Sequence, residues 1–301
     1  MTDFVLDGLP ALSRSTVDRA DAARGDVELL AKGWKEAGLV VIDERGRARL
    51  VDDALHLGRT SDLGEAPVDG AVFLGVQDEV AYWAVRGSGP EDPGSGDWQD
   101  LRMCGALLSD TDAGLMTAAV GLLAWHDHSN FCARCGSPTK AVRAGWARRC
   151  TGCGHEEYPR TDPAVICLVH DGDAHVLLAR QPVWPAERYS VLAGFVEVGE
   201  SLEACVEREV GEEVGVAVRS VRYLGSQPWP FPRSLMVGFS ALADRDAPLV
   251  LAEDEIEHAK WVHRDEVRAA FAAGGAIPGL GLPGASSIAH RMLAAWANVQ
   301  L

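Results

Sequence analysis

The sequence predicts a mixed α+β or α/β protein of 301 residues: a layered C-terminal domain preceded by a small cysteine-rich unit and an N-terminal α+β domain. Three observations carry this. Two CxxC pairs stand close together in the middle of the chain. After residue 164, strand-like apolar runs alternate with a few helical ones, the pattern of a layered domain. Before residue 126 there are strand and helix signals but no chemical motif. The length exceeds the usual ~100–200 residues per domain, and the boundaries are expected at 1–126, 127–158 and 159–301. No internal repeat of solenoid type is present.

In the first domain, residues 71–76 and 80–85 read as two short strands around Gln77-Asp78-Glu79, a hairpin. Residues 86–97 (RGSGPEDPGSGD) are rich in Gly, Pro and Ser and read as a mobile linker. Ser109 or Asp110 caps a helix to about Trp125, with Leu115, Leu122 and Trp125 on its apolar side. This domain serves packing or dimer formation on this reading.

Composition narrows the function. Hydrophobic residues make up 47% of the chain, enough for a sizeable core, and the net charge of −16 works against broad binding of duplex nucleic acid. An anionic small substrate remains compatible, because a bound divalent ion outweighs the local field. Most basic residues are Arg, suited to forked contacts with phosphate. No apolar run of ~18 residues is present to span a membrane. MTDFVLDGLP carries acids where an export signal needs a basic segment, and NVQL shows no lipidation or retention signal, so a cytoplasmic protein is expected.

Cys132-Ala-Arg-Cys135 and Cys150-Thr-Gly-Cys153 are separated by 14 residues, with Gly136 and Gly154 just after each pair. Four thiolates in two tight turns satisfy a tetrahedral Zn²⁺ and leave no open position, so the expected zinc is structural. Cys104, Cys167 and Cys205 lie singly on apolar stretches and read as core residues.

In the last domain, residues 164–169 and 175–179 form a second hairpin around Asp171-Gly172-Asp173. Ser201 caps a helix over 202–214 and Gly215 stops it; strands follow at 219–224 and 235–241, then a last helix over 287–298. At ~100° per residue, Leu202, Val206, Val210 and Val214 make an apolar stripe, and Glu209 and Glu213 project within about 20° of Leu202. Glu212 is three residues from Glu209, so three carboxylates are neighbours at the edge of the buried arc. A solvated acidic face is the alternative for a Glu-rich helix, but position against the core disfavours it. Crowding like charges there costs free energy, which a hard divalent cation relieves.

Residues 194–216, GFVEVGE followed by REVGEEVGV, match the Nudix box, Gx5Ex7REUxEExGU with U aliphatic, at every defined position. By this resemblance the last domain is a Nudix α/β/α sandwich. Glu209 and Glu213 are its Mg²⁺ or Mn²⁺ ligands with Glu212 assisting, Arg208 and Glu200 an orienting pair, and the Ala193 carbonyl a further ligand.

Specificity must come from elsewhere. Ser226-Gln-Pro-Trp-Pro-Phe-Pro-Arg-Ser234 begins 11 residues after Gly215. Its three prolines stiffen a loop in which Trp229 and Phe231 are pre-ordered plates for a base or nicotinamide ring, and Ser226, Gln227, Arg233 and Ser234 offer polar contacts. A Pro-rich loop packed on the core, or a polyproline ligand, is the plainer reading. The array resembles SQPWPFPxS of the NADH pyrophosphatase branch of the Nudix family, which also carries a four-cysteine ribbon before its catalytic domain. That resemblance implies that Tyr158 and Phe195 stack on a substrate ring, that Gln227, Pro228, Trp229, Pro230, Phe231, Pro232, Arg233 and Ser234 line the pocket, and that Ala289 touches it. It implies Glu255 as a further metal ligand, with Glu257 the alternative because His258 stands where an acid is expected. It also implies a homodimer. The expected reaction is hydrolysis of the pyrophosphate of NADH or NAD⁺ to nicotinamide mononucleotide and AMP, with Glu213 and then Glu212 as general base. NAD-capped RNA 5′ ends are a related substrate, and the Arg-rich residues 143–149 are either a guide for RNA or an ordinary solvated hairpin. The alternatives are a Nudix hydrolase of another nucleoside diphosphate derivative, a non-catalytic zinc-ribbon binding module and a scaffold.

Overall fold

The computed structural model describes residues 4–87 and 96–299. Most of the expected linker at 86–97, the first three residues and the last two therefore lie outside the described residues. Of that linker, Arg86 closes one strand and Asp97 opens another. The chain divides into two compact units: Arg14–Thr161 with Trp229–Arg233, and Met1–Ser13 with Asp162–Pro228 and Ser234–Leu301. Among the described residues no helix is long and apolar enough to cross a membrane.

The first unit is built on β1 (Gly38–Ile42), β2 (Val72–Gln77) and β3 (Val80–Arg86), with Gly58–Arg59 at the free edge of β1. β2 and β3 form the expected hairpin, with Gln77 opposite Val80. Asp78 and Glu79 both take positive φ, 50° and 65°, as a two-residue turn requires when its twist must match the strands. Trp34, Phe73 and Trp83 fill the core beneath, Trp34 edge-on to Trp83 at 5.1 Å. Helix α1 (Asp110–His128) starts where expected, with Ser109 Oγ accepting from Asp112 N at 3.1 Å. It differs in burial: residues from Ala113 to Leu123 are inside on several faces, not along the single stripe of Leu115, Leu122 and Trp125. Three short antiparallel strands, Thr139–Val142, Ala147–Cys150 and Glu156–Glu157, make the cysteine-rich ribbon.

The second unit is a six-stranded mixed sheet. Its strands are β4 (Asp162–His170), β5 (His175–Arg180), β6 (Leu192–Phe195), β7 (Val218–Trp229), β8 (Ser234–Ala243) and β9 (His258–His263). The order is β7-β8-β4-β5-β9, with β6 beside β4. β4 runs parallel to β8 and antiparallel to β5 and β6. The alternation of β4 shows why the fold has three layers: Val165, Cys167 and Val169 face one core, Ile166 and Leu168 the other. The first core receives α2 (Leu202–Val214) through Cys205, Val206, Val210 and Val214. The second receives α3 (Arg264–Ala272) and α4 (Ile288–Ala297) through Val267, Ala270, Ile288, Met292 and Leu293. This is an α/β/α sandwich.

The proline-rich segment differs from the expected loop. β7 extends through Ser226, Gln227 and Pro228 to Trp229, and only residues 230–233 turn. β7 is the outer strand of the sheet, where Pro is tolerated because its missing N–H breaks no inner ladder.

Helix α2 carries the carboxylates and is bounded as its sequence specifies. Ser201 Oγ accepts from Ala204 N at 3.1 Å, and Gly215 takes φ 74° in the left-handed region at the C-terminus. Ser201→Ala should therefore lower unfolding stability by ~1 kcal/mol in chemical denaturation; an unchanged midpoint would show that the cap contributes nothing.

Candidate metal centre and active site

Val206, Val210 and Val214 are at most 1% exposed. Burying each is worth about 1.5–3 kcal/mol, and together they fix the rotation of α2 about its axis. That rotation carries Glu213 into the unit: it is 4% exposed, and its Oε2 has no hydrogen-bond partner. Burial first, then the charges of Glu209 and Glu255, push its carboxyl up to about 8 against a backbone hydrogen bond from Ala193. Glu209 is also raised, again chiefly by burial, with Glu212 and Glu255 adding to it and Arg208 opposing. Its carboxyl group lies on the bare face of Gly194, where a Cβ would come within 1.8 Å of Glu209 Cδ. The glycine that opens the motif is thus the bed of a carboxylate, a role its sequence position alone does not disclose.

Arg208 organises the rest. It grips Glu200 with two bonds, Nε to Oε1 at 2.7 Å and Nη2 to Oε2 at 2.9 Å. Nη2 also donates to the Phe195 carbonyl at 2.9 Å, and Nη1 donates to Glu209 Oε1 and Glu212 Oε2, both at 2.9 Å. Glu200 further accepts from Glu197 N at 3.0 Å, and Arg208 above all holds its carboxyl down at about 2. The segment 195–200 is thereby tied to the helix that follows it. Among Glu209, Glu212 and Glu213, Glu212 is the most exposed.

The two acids beyond the helix have different surroundings. Glu257 is ion-paired to Arg180 at 3.2 Å. Glu255 is the acid whose charge bears on both Glu209 and Glu213. An all-oxygen donor set around an unpaired, buried carboxylate oxygen fits a hard divalent cation.

The ribbon is a different kind of site. Among the described residues, Cys132, Cys135, Cys150 and Cys153 are the one group of three or more metal-binding side chains whose ligand atoms all lie within 4.8 Å of one another. Cys132 Sγ is 3.9 Å from Cys153 Sγ, and Cys135 Sγ is 3.4 Å from Cys150 Sγ. Both knuckles share one geometry. Arg134 N points at Cys132 Sγ and Gly152 N at Cys150 Sγ, at 3.4 and 3.3 Å. Gly136 N and Gly154 N close each turn on the first cysteine's carbonyl, with φ 72° and 74°. Four convergent sulfurs with N–H groups aimed at them fit Zn²⁺ in a closed structural site. Cys104, Cys167 and Cys205 are buried apart from it.

The expected substrate residues fall into two sets. Tyr158 (59% exposed, its hydroxyl on Glu156 Oε2 at 3.0 Å) and Phe195 (55% exposed) present rings to the surface. Trp229 and Phe231 pack edge to face at 4.9 Å, and Arg102, which sequence reasoning passed over, lays its guanidinium 4.9 Å over Phe231. Pro232 and Arg233 are exposed and Pro230 is buried. Gln227 differs from expectation. It is fully buried, and its amide is engaged at both ends, Oε1 accepting from Leu12 N at 3.4 Å and Nε2 donating to Ser286 O at 3.0 Å. Ser234 and Ala289 are buried as well, Ala289 within the core under α4.

Two outcomes follow from this geometry. In metal-free protein, Glu213 is protonated when folded at pH values where the unfolded chain is already ionised, so stability should fall as pH rises from about 4.5 to about 8. Glu213→Gln should then raise the metal-free melting temperature more at pH 8 than at pH 5; an equal shift at both would contradict the buried carboxylate. For the ribbon, thiol modification should release one Zn²⁺ per chain, read with a chromogenic chelator, and Cys132→Ser should carry less than one.

Comparison with known proteins gives three family matches along the chain. Residues 127–158 match the NADH pyrophosphatase zinc ribbon domain and residues 160–278 the NUDIX domain. Residues 23–125 match an NADH pyrophosphatase-like rudimentary NUDIX domain, which gives the motif-free first domain an origin. The chain is 50% identical over 305 residues to the NAD-capped RNA hydrolase NudC of Mycobacterium bovis (BCG Pasteur), covering 98% of this chain and 97% of that one. It is 49% identical to the NudC of Mycobacterium tuberculosis H37Rv with the same coverage. For the NudC of Deinococcus radiodurans the figure is 42% over 211 residues, 67% of this chain and 74% of that one. The chain belongs to the Nudix family, in its zinc-ribbon branch of NADH pyrophosphatases and NAD-capped RNA hydrolases.

Proposed function

We propose that this chain is an NAD(H) diphosphatase that hydrolyses the pyrophosphate of NADH or NAD⁺ to the nicotinamide mononucleotide and AMP, and that it also removes NAD caps from RNA 5′ ends. The observation that carries the reading is the half-buried carboxylate face of α2, complete in a chain that is half identical along its full length to NAD-capped RNA hydrolases. A binding module or scaffold has no use for a buried carboxylate oxygen without a partner.

The cation would be Mg²⁺ or Mn²⁺, held by Glu209, Glu213, Glu255 and the Ala193 carbonyl. When bound, it supplies neutralisation of the phosphates and activation of water. The chain's own residues do the rest. Glu213 accepts the proton of the attacking water at its unpaired Oε2, a carboxylate made more basic than usual by burial. Glu212, exposed beside it, is the second candidate. Arg208 and Glu200 hold the segment 195–200, and with it the Phe195 ring, in a fixed relation to the helix. Tyr158, Phe195, Trp229 and Phe231 offer ring faces for nicotinamide or adenine, and Arg233 a forked donor for phosphate. Gln227, Pro228, Pro230, Pro232, Ser234 and Ala289 complete the set of substrate residues that the resemblance implies. The division of labour follows the segments 1–126, 127–158 and 159–301, with chemistry in the last. A homodimer, expected from the resemblance, and a reducing, cytoplasmic site of action, fitting free thiolates, complete the proposal.

Product analysis of NADH with protein and Mn²⁺ should give equal amounts of AMP and reduced nicotinamide mononucleotide, and an NAD-capped oligonucleotide should yield a 5′-monophosphate end. Glu213→Gln should lose ~10²–10⁴-fold in turnover with the fold intact. Near-normal turnover of that variant would remove Glu213 from the base role, and intact NADH with wild-type protein would overturn the activity.

A further inference from the structure

Glu255 lies on a turn, and turns are held by what staples them. At the front, Ala252 N donates to the Glu213 carbonyl at 3.1 Å, and Glu255 N and Ile256 N close back on the Ala252 carbonyl at 3.0 and 2.8 Å. At the back, Glu257 N donates to the Arg180 carbonyl at 2.9 Å, and its side chain pairs with Arg180. The next residue, His258, shares a hydrogen bond of 2.9 Å between Nδ1 and the Tyr189 hydroxyl.

Tyr189 is built in, not draped on. It is 6% exposed, its N–H donates to the Gly281 carbonyl at 2.8 Å, and the Lys260 ammonium lies 4.5 Å over its ring while donating to the Gly279 carbonyl at 2.7 Å. A buried tyrosine ring needs a partner for its hydroxyl, and here that partner is His258. Three residues after Tyr189 begins β6, the strand that presents Ala193 and the bare face of Gly194 under Glu209. One hydrogen bond thus joins the segment leading into Ala193 to the segment leading out of Glu255, on the sequence side of each that no motif covers.

We propose that the Tyr189–His258 hydrogen bond is a positioning device for the divalent-cation site, locking the turn that carries Glu255 to the strand that carries Ala193 and so setting how tightly the site holds its cation. The proposal rests on Glu255 as a ligand in the function given above. Neither Tyr189 nor His258 touches the reacting atoms. His258 fills the position where resemblance led to the expectation of an acid, and its hydrogen bond gives the histidine a task there.

The test is calorimetric titration of zinc-loaded, substrate-free protein with Mn²⁺, beside the Mn²⁺ dependence of NADH hydrolysis. Tyr189→Phe keeps the ring and loses the hydroxyl. It should weaken Mn²⁺ binding about 5–10-fold and raise the activating Mn²⁺ concentration by the same factor, with a melting temperature near wild type. His258→Ala should match it. His258→Asn, which keeps a hydrogen-bonding atom near the Nδ1 position, should restore much of the affinity. Tyr223→Phe, removing an exposed hydroxyl elsewhere in the unit, should bind Mn²⁺ as wild type does. Wild-type Mn²⁺ affinity in a folded Tyr189→Phe protein would overturn the proposal while leaving the hydrolase reading in place. Unaltered Mn²⁺ binding by Glu255→Gln would instead overturn the ligand assignment, and the positioning role with it.

Discussion

Everything in the catalytic unit depends on one enforced burial. Three valines and a cysteine on one side of α2 are inserted into the sheet, and the helix has no freedom to turn Glu209 and Glu213 outward. Glu213 is carried inside with an oxygen that nothing in the chain satisfies, and Glu209 settles against a glycine that has no side chain to exclude it. A buried carboxylate without a partner is among the most costly arrangements a protein can hold. The apolar stripe supplies the free energy that holds the carboxylates there. Arg208 tempers the crowding by bonding Glu200, Glu209 and Glu212 at once, while leaving Glu213 alone.

The supporting architecture isolates that helix from disturbance. Its start is capped by Ser201, its end is turned by Gly215, and the segment before it is clasped by the Arg208–Glu200 pair. The opposite face of the sheet is closed by two other helices with a core of their own. The first unit follows a different economy. Its residues 23–125 match a rudimentary NUDIX domain, and its ribbon relies on four sulfurs where apolar area is scarce.

The parts of this protein legible in the sequence are those where a local rule decides the outcome. The bounds of α2, the Asp78-Glu79 turn and the two cysteine knuckles each follow from caps, turn residues or ligand spacing acting over a few residues. The depth of Glu213 and Glu209 also came through, because helical periodicity places them beside the stripe. What stayed hidden depends on partners distant in sequence. The burial of Gln227 is set by Leu12 and Ser286, and the extension of β7 through Pro228 by its place at the sheet edge. The pairing of Glu257 is set by Arg180, 77 residues away in sequence. α3 carries a local signal of the same kind, the reciprocal cap of His263 and Glu266.

A divalent-cation site along the buried edge of α2 would leave a direct signature. Anomalous scattering from crystals soaked with Mn²⁺ and a non-hydrolysable dinucleotide measures it directly. Manganese peaks are expected among Glu209, Glu213 and Glu255, with the pyrophosphate against them. Crystals that bind the dinucleotide while those carboxylates stay free of manganese would contradict it.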